Sequence, residues 1–500
     1  MTTQLFNLLT VAPEAALTLG AVLVLLIGTS KDVRPWTLKA LTAFTLAMTA
    51  AALTKQALVL PDAVTSAGYG GMVTLDSTSI LWVGLLYVVA ILAFVMSWEF
   101  VEDHQTKAPE IVALMMLATA GFMFMVSAGH FMMLFLGLEV GSISLYILTA
   151  LGSPSKDSDE AAMKYFLMGS MASGILLYGI ALIYTGTGDL SYGGVFNSFN
   201  TALEAPGLIL SGPFAGHTTG VPLVAVVGIA LLLVGLLFKV TAAPFHFWAP
   251  DVYQGAPGRM VGFIAAAAKV AGFAAILRMV QFPLFPVFGK VQTPLVAVAT
   301  VSVILGTLYA IRQDDVRRML AYSGIAHAGF MLIGVSVGFI DVTTGNSGFP
   351  GTMFYLGTYS VTLVLTFGLL AVVSGDGRAS IEQFRGLGRS SPVLAGSISI
   401  FMLSMSGMPL TSGFVGKFAV FSTAWVAGFH FVVVISLVMS VAAFFFYLRL
   451  IVAMYFEEGD ATVSMALNQK VVVLAGVVMT IFLGTYPGPT IDFIIEALKL

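Results

Sequence analysis

Apolar runs of about 20 residues follow one another along most of this chain, and one helix needs about that length to cross the hydrocarbon core of a bilayer. A backbone in lipid has no water to bond, so it must satisfy its own amides, as helices do. Composition agrees: 58% of the 500 residues are hydrophobic and 9% are charged, against about 25% charged in a soluble domain. The expected fold is an all-α polytopic membrane protein. A net charge of -3 gives no reason to expect nucleic acid as a partner. There is no cysteine, which excludes disulfides, thiolate-held iron–sulfur clusters and zinc–thiolate sites in this chain. The opening MTTQLFNLLTVAPEAALTLG lacks the basic stretch of a cleaved signal, so the first apolar run reads as a retained span.

Fourteen spans are expected, at 9–29, 38–58, 77–98, 109–126, 128–151, 162–185, 221–254, 258–280, 292–311, 317–339, 350–374, 392–425, 429–455 and 469–486. The connection 186–220, rich in Gly, Ser and Thr, reads as a loop, and 487–500 as a short interfacial helix. Loops after odd-numbered spans, with their flanks, hold 14 basic residues: Lys31, Arg34, Lys39, Lys107, Lys156, Arg259, Arg312, Arg317, Arg318, Arg378, Arg385, Arg389, Arg449 and Lys470. The other side holds 4, Lys55, Arg278, Lys290 and Lys499. The positive-inside rule then puts the odd loops in the cytoplasm and both termini outside.

Two spans are too long for one straight helix, 221–254 and 392–425, and each contains a proline, Pro244 and Pro409. Proline removes a backbone donor and clashes with the preceding turn, so both spans are expected to break. They are spans seven and twelve, five apart. The spans before them open alike, Met163-Lys164-Tyr165-Phe166 and Met353-Phe354-Tyr355-Leu356. Spans four to eight and nine to thirteen therefore read as a repeat of five, which an odd number makes inverted in the membrane. The expected organisation is an N-terminal segment 1–108, a first repeat 109–280, an inverted second repeat 281–455, and a C-terminal helix and tail 456–500. Paired interrupted helices in two such halves point to a transport site.

Four lysines stand within apolar runs, where a charge at a helix centre costs about 2.5–3.5 kcal/mol on insertion scales and marks a functional candidate. Lys239 lies just before the break of span seven, far from both ends. Lys269 follows an alanine run in span eight, where small residues suit a helix seam and a structural charge pair is the alternative. Lys417 follows the break of span twelve and reads as a mirror partner to Lys239. Its setting, GFVGKF, lacks the spacing and the Ser or Thr of a phosphate loop. Lys164, near the start of span six, either snorkels or pairs with Glu139 in span five. His327, mid-span in span ten, either relays protons or is a hydrogen-bonded core residue. His246, just after Pro244, either links Lys239 to the cytoplasmic face or caps carbonyls freed by the break. Burial disfavours the charge on an amine, so a line of buried amines, a carboxylate and imidazoles is chemistry for passing protons. No nucleophile–base pair, metal constellation or dinucleotide fingerprint accompanies it.

At these residues a resemblance emerges. FLGLEVGSISLYIL, AMKYFLMGSMASGILLYGIALIYTGTGDL, GLLFKVTAAPFHFWAPDVYQGAP, RRMLAYSGIAHAGFMLIG and SMSGMPLTSGFVGKF resemble the antiporter-like membrane subunits of bacterial NADH:quinone oxidoreductase, respiratory complex I. PDVYQGAP and the setting of Lys269 favour subunit N over subunits L and M. The resemblance covers at least 110–425 and agrees with fourteen spans. It implies a proton-translocating subunit in a bacterial inner membrane, with Glu139 and Lys164 as a coupling pair, Lys239 as the central input-side lysine, Lys269 as the connecting one, His327 as the bridge, and Lys417 on the output side. It also implies no cofactor here, with FMN, iron–sulfur clusters and quinone in other subunits, and the neighbouring subunits M and K and lipid as partners. A subunit of a multisubunit cation/proton antiporter is the alternative. One departure is Gly258-Arg259-Met260-Val261, where the family usually has a Thr-Pro-Val-Thr-like sequence after QGAP.

Overall fold

The computed structural model describes residues 3–30, 35–59, 66–151, 156–204, 220–341, 346–459 and 463–498. Lys31, Arg34 and Lys499 of the charge pattern, and 205–219 of the expected loop, lie outside the described residues.

The apolar runs fold as helices. The N-terminal part comprises α1 (Thr3–Thr10), α2 (Ala12–Gly28), α3 (Pro35–Val59) and α4 (Ser77–Asp103). Next come α5 (Ala108–Val126), α6 (Phe131–Ala150), α7 (Lys156–Thr187), α8 (Tyr192–Glu204), α9 (Leu223–Lys239), α10 (Trp248–Gly255) and α11 (Gly258–Gln281). Then follow α12 (Phe288–Ile311), α13 (Val316–Val337), α14 (Phe349–Ser374), the one-turn α15 (Leu387–Ser390), α16 (Pro392–Ser406), α17 (Ser412–Val426) and α18 (His430–Phe456). The chain closes with α19 (Leu467–Thr485) and α20 (Gly488–Leu498). Among the described residues, 11 helices are long and apolar enough to cross a membrane, and Ala12–Gly28, Leu223–Lys239 and Pro392–Ser406 are shorter apolar helices.

The core is built around α11. Every residue of its apolar window is buried, because α14, α4, α5, α9 and α6 surround it. Its Ala265–Ala268 run lets those neighbours come close. Helices α13 and α14 are nearly as enclosed, whereas α3, α18 and α19 turn large apolar residues such as Phe44, Val441 and Val478 outward, as lipid-facing helices do. Helix α6, which carries Glu139, lies tight against α5. A Cβ on Gly121 would run into the backbone of Gly137 and Gly141, so only glycine permits this approach.

Three features depart from the sequence reading. The expected loop 186–220 contains α8. Tyr192, Val195, Phe199 and Ala202 recur every three or four residues and are buried, a helical period that the glycine and serine content hides. Ser191 caps it by accepting from Gly194 N at 3.1 Å. The all-α reading also omits two small hairpins, β1 (Ser66–Gly68) with β2 (Val73–Leu75) and β3 (Phe339–Asp341) with β4 (Asn346–Ser347), each too short to show an alternating pattern. Finally, the first apolar run is preceded by the separate short helix α1. The tail is helical as α20, tied to α4 by a bond from Thr78 Oγ1 to Ala497 O at 3.0 Å.

Candidate proton-transfer site

The site is built on two interruptions with the same local geometry. Helix α9 stops at Lys239, five residues before Pro244, whose missing N–H and ring forbid a continuing turn at Val240. Ala242 N reaches back to Leu237 O at 3.0 Å and Thr241 N to Phe238 O at 3.2 Å. These two bonds define a Schellman close. Helix α16 ends the same way before Pro409. Met408 N bonds Leu403 O at 3.0 Å and Gly407 N bonds Ser404 O at 3.0 Å. The motif needs a left-handed residue. Gly407 supplies it at φ 90°, but in α9 the position falls on Thr241 at φ 63°, where a β-branched side chain is strained. Such strain is held in place by its surroundings and clusters at functional sites.

Each close leaves the C-cap carbonyl free, and each carbonyl accepts a lysine. Lys269 Nζ, from α11, donates to Thr241 Oγ1 at 2.5 Å and lies 3.4 Å from Val240 O. Lys417 Nζ, from α17, donates to Ser406 O at 2.9 Å and to Ser440 Oγ of α18 at 2.9 Å. The partial negative charge of a helix C-terminus suits an ammonium. In its local contacts Lys417 thus matches Lys269 rather than Lys239. Lys239, at the end of α9, instead turns to α6, donating to Ser142 Oγ at 2.7 Å and Tyr146 Oη at 2.9 Å. All three ammonium-bearing residues are buried, with no carboxylate within ion-pair distance among the described residues.

The expected Glu139–Lys164 pair does not form. Lys164 sits near the start of α7 with 40% of its side chain exposed, and its Nζ lies 2.7 Å from both Glu160 and Asp251. The start of α7 lies beside α10, so the carboxylate Lys164 meets comes from beyond the break. Asp251 holds Arg318 Nη1 of α13 with its other oxygen at 2.7 Å. Asp157, Glu160, Lys164, Asp251, Gln254 and Arg378 line a polar cavity of about 130 Å³ there. Glu139 stays on the Lys239 side, close enough to interact electrostatically with Lys239 and Tyr146, and its Oε1 is buried without a hydrogen-bond partner.

His327 stands between Lys269 and Lys417 and feels the charge of both. Its Nδ1 meets Tyr355 Oη at 2.6 Å and its Nε2 meets Tyr447 Oη at 3.1 Å. Tyr447 Oη also bonds Ser323 Oγ. Tyr359 stacks on the imidazole at a centroid distance of 4.4 Å, and its buried hydroxyl has no partner. A Cβ on Gly324 would touch that hydroxyl and the end of Lys269 alike, so the glycine brings the two together. Beyond His327, Phe330 lies under Lys417 at 5.1 Å. His246 is buried in the first interruption, stacked on Phe247, with Nδ1 unpartnered. It meets the backbone of Pro244 within the break, while the end of α9 is held by other groups. Trp248 Nε1 donates to Phe238 O at 3.0 Å, and Ser302 Oγ receives Ala243 N at 2.8 Å.

The connecting hydroxyls are not conspicuous in the sequence. A signal for some of them exists: Ser142 and Tyr146 follow Glu139 at helical spacings of three and seven, and Ser323 precedes His327 by four, so each pair shares a face. Tyr355, Tyr447 and Ser440 come from other helices and carry no such signal. Arg259, at the family departure, reaches back to α4, 3.1 Å from Glu99 and 3.7 Å from Asp103.

The family described as NADH:quinone oxidoreductase/Mrp antiporter, TM, matches residues 128–443. The chain belongs to this family. Its matched region spans both interruptions and all seven candidate residues from Glu139 to Lys417. Among curated relatives, NADH-quinone oxidoreductase subunit N of Trichlorobacter lovleyi is 37% identical over 449 residues, covering 87% of this chain and 86% of that protein. Among solved structures, a chain of respiratory complex I from Thermus thermophilus with bound aureothin is 32% identical, with TM-score 0.76, covering 96% of this chain and 98% of that one. A chain of the Mrp complex from Dietzia sp. superposes with TM-score 0.83 at 20% identity, covering 99% of this chain and 97% of that one, a likeness of fold alone.

Proposed function

We propose that this chain is a proton-translocating membrane-arm subunit of an NADH:quinone oxidoreductase, of the N type, in a bacterial inner membrane. The observation that carries the reading is the sequence of buried groups through the core: Glu139, Lys239 on Ser142 and Tyr146, Lys269 on Thr241, His327 between two tyrosines, then Lys417 on Ser406 and Ser440. Hydroxyls both donate and accept, so each is a group through which a proton changes hands. Quinone reduction elsewhere shifts charge along the membrane arm, and protons pass from the cytoplasm by way of Lys239, Lys269 and Lys417 to the outside. Lys164, held by Asp251 and Glu160, acts at the cytoplasmic end rather than as the partner of Glu139, with His246 as a side contributor at the first break.

The three shorter apolar helices, taken with the eleven long ones, support a reading of fourteen spans, and the placement of basic residues supports both termini outside. The matching closes of α9 and α16 support an inverted pairing of 109–280 with 281–455. FMN, iron–sulfur clusters and quinone belong to other subunits, and subunits M and K are the neighbours. The alternative, a subunit of a multisubunit cation/proton antiporter, shares the fold; the long N-type motifs favour the oxidoreductase.

The test is Lys239→Ala in membranes with assembly of the complex verified. NADH-driven quinone reduction and proton uptake into inverted vesicles are expected to fall while NADH oxidation by an artificial acceptor persists. Normal proton uptake by an assembled mutant would move Lys239 to a structural role.

A further inference from the structure

Outside the lysine line, one buried acid remains unused. Glu14 is the third residue of α2 and is 1% exposed. It has no ion-pair partner among the described residues. Its Oε2 has no hydrogen-bond partner; beside its own backbone N–H, the carboxyl meets one side chain, with Oε1 3.1 Å from Ser127 Oγ at the end of α5. Ser127 Oγ is also 2.6 Å from Met123 O. A serine hydroxyl has one hydrogen, and both Met123 O and an ionised carboxylate can only accept. The shorter contact takes the hydroxyl hydrogen for Met123 O. The Glu14 contact is then a hydrogen bond only if the carboxyl itself donates. Burial without a cation favours the same neutral form.

The surroundings tie Glu14 to the end of the central helix. Ser127 O accepts from Thr74 N at 2.8 Å and from Thr74 Oγ1 at 3.0 Å. Thr74 Oγ1 in turn accepts from Arg278 Nη2 at 2.5 Å, and Arg278, at the end of α11, pairs with Asp76 at 2.6 Å. His130, with Asp189 facing it, is the other titratable group on the loop after Ser127. In the proposed orientation all of this lies at the outer end of the first repeat, nine residues along α11 from Lys269. We propose that Glu14 is a proton-binding site at the outer side, occupied in this conformation and exchanged with the outside during turnover. This inference rests on the proton-translocating reading above.

The test compares Glu14→Gln, Glu14→Asp and Ser127→Ala in the assembled complex, beside Lys239→Ala. Glutamine mimics the neutral acid, so Glu14→Gln is expected to assemble and keep the artificial-acceptor rate. Proton uptake is expected to fall several-fold, and the carboxylic-acid C=O band in infrared difference spectra on quinone reduction should vanish. Ser127→Ala removes the acceptor of the Glu14 proton and should shift that band. Full proton uptake in Glu14→Gln with uptake lost in Lys239→Ala overturns the Glu14 site alone; full uptake in both overturns the underlying reading. Assembly of Glu14→Asp but not Glu14→Gln would show that the fold needs the charge, and a band unchanged by Ser127→Ala would show that it belongs elsewhere. Either result ends the proposal.

Discussion

Thr241 holds two roles that substitution can separate. It occupies the left-handed position of the α9 close at φ 63°, and its hydroxyl accepts from Lys269 at 2.5 Å. Thr241→Val keeps the β-branched shape and removes only the acceptor. The remaining partner, Val240 O, is 3.4 Å away, so the ammonium loses most of a hydrogen bond from a charged donor, about 1.5–3 kcal/mol. At 1.4 kcal/mol per tenfold, charged Lys269 becomes about ten- to a hundredfold less populated. Proton uptake and quinone reduction should drop accordingly in inverted vesicles, with the artificial-acceptor rate intact. Thr241→Ser, which retains the oxygen, should keep most of the coupled rate. Thr241→Gly should relieve about 1 kcal/mol of backbone strain, raising thermal stability in detergent while the coupled rate falls as in Thr241→Val. A fully coupled Thr241→Val protein would refute the idea that this hydroxyl sustains Lys269.

Tyr447→Phe strips partners from both Ser323 and His327 and should cost about 1–3 kcal/mol, read as a lower melting temperature of the purified complex. Asp76 is buried, which raises its carboxyl, but the Arg278 guanidinium outweighs this and holds it below the ordinary carboxylate range. Its contribution to stability is therefore full above about pH 4 and lost as pH falls further through the lowered value. Thermal scans below pH 4 should show that loss in the wild type and not in Asp76→Asn, which starts about 3–5 kcal/mol less stable. Asp251→Asn leaves Lys164 and Arg318 facing each other; because both are partly exposed, stability should fall by about 1 kcal/mol or less, while coupled proton uptake should fall clearly more than thermal stability does. Gly121→Val drives a side chain into the backbone of α6 and should cost about 1–3 kcal/mol, measured as reduced assembly of the complex in membranes.

The span pattern and the charged residues were legible because a buried charge in an apolar run contradicts its surroundings and is conspicuous by itself. Lys239, Lys269, His327 and Lys417 all lie in the protein interior for that reason. Partnerships were less legible. Lys164 meets Asp251, 87 residues away, because α10 folds back beside the start of α7, and no local spacing encodes that return. Glu14 is inconspicuous in the sequence because it lies third in its helix, where acids commonly serve as dipole partners; only the packing of α5 against α2 turns that position into an interior one. Helix α8 was hidden by residues that favour turns, while its buried stripe of Tyr192, Val195 and Phe199 needed the period rather than the composition.

The two helix closes have a consequence for how distant events are transmitted. Each half-helix end is held by a cation, Lys269 on Val240 O and Thr241, and Lys417 on Ser406 O. The hold is strong only while the amine is charged. Charge state and helix-end position are then linked variables, and linkage runs equally in both directions. A displacement of α9 or α16 by a neighbouring subunit changes how firmly the lysine keeps its proton. Loading or unloading that proton must push the helix end with the same free energy. A mechanical signal and a chemical one are here the same quantity, read at two ends of one bond.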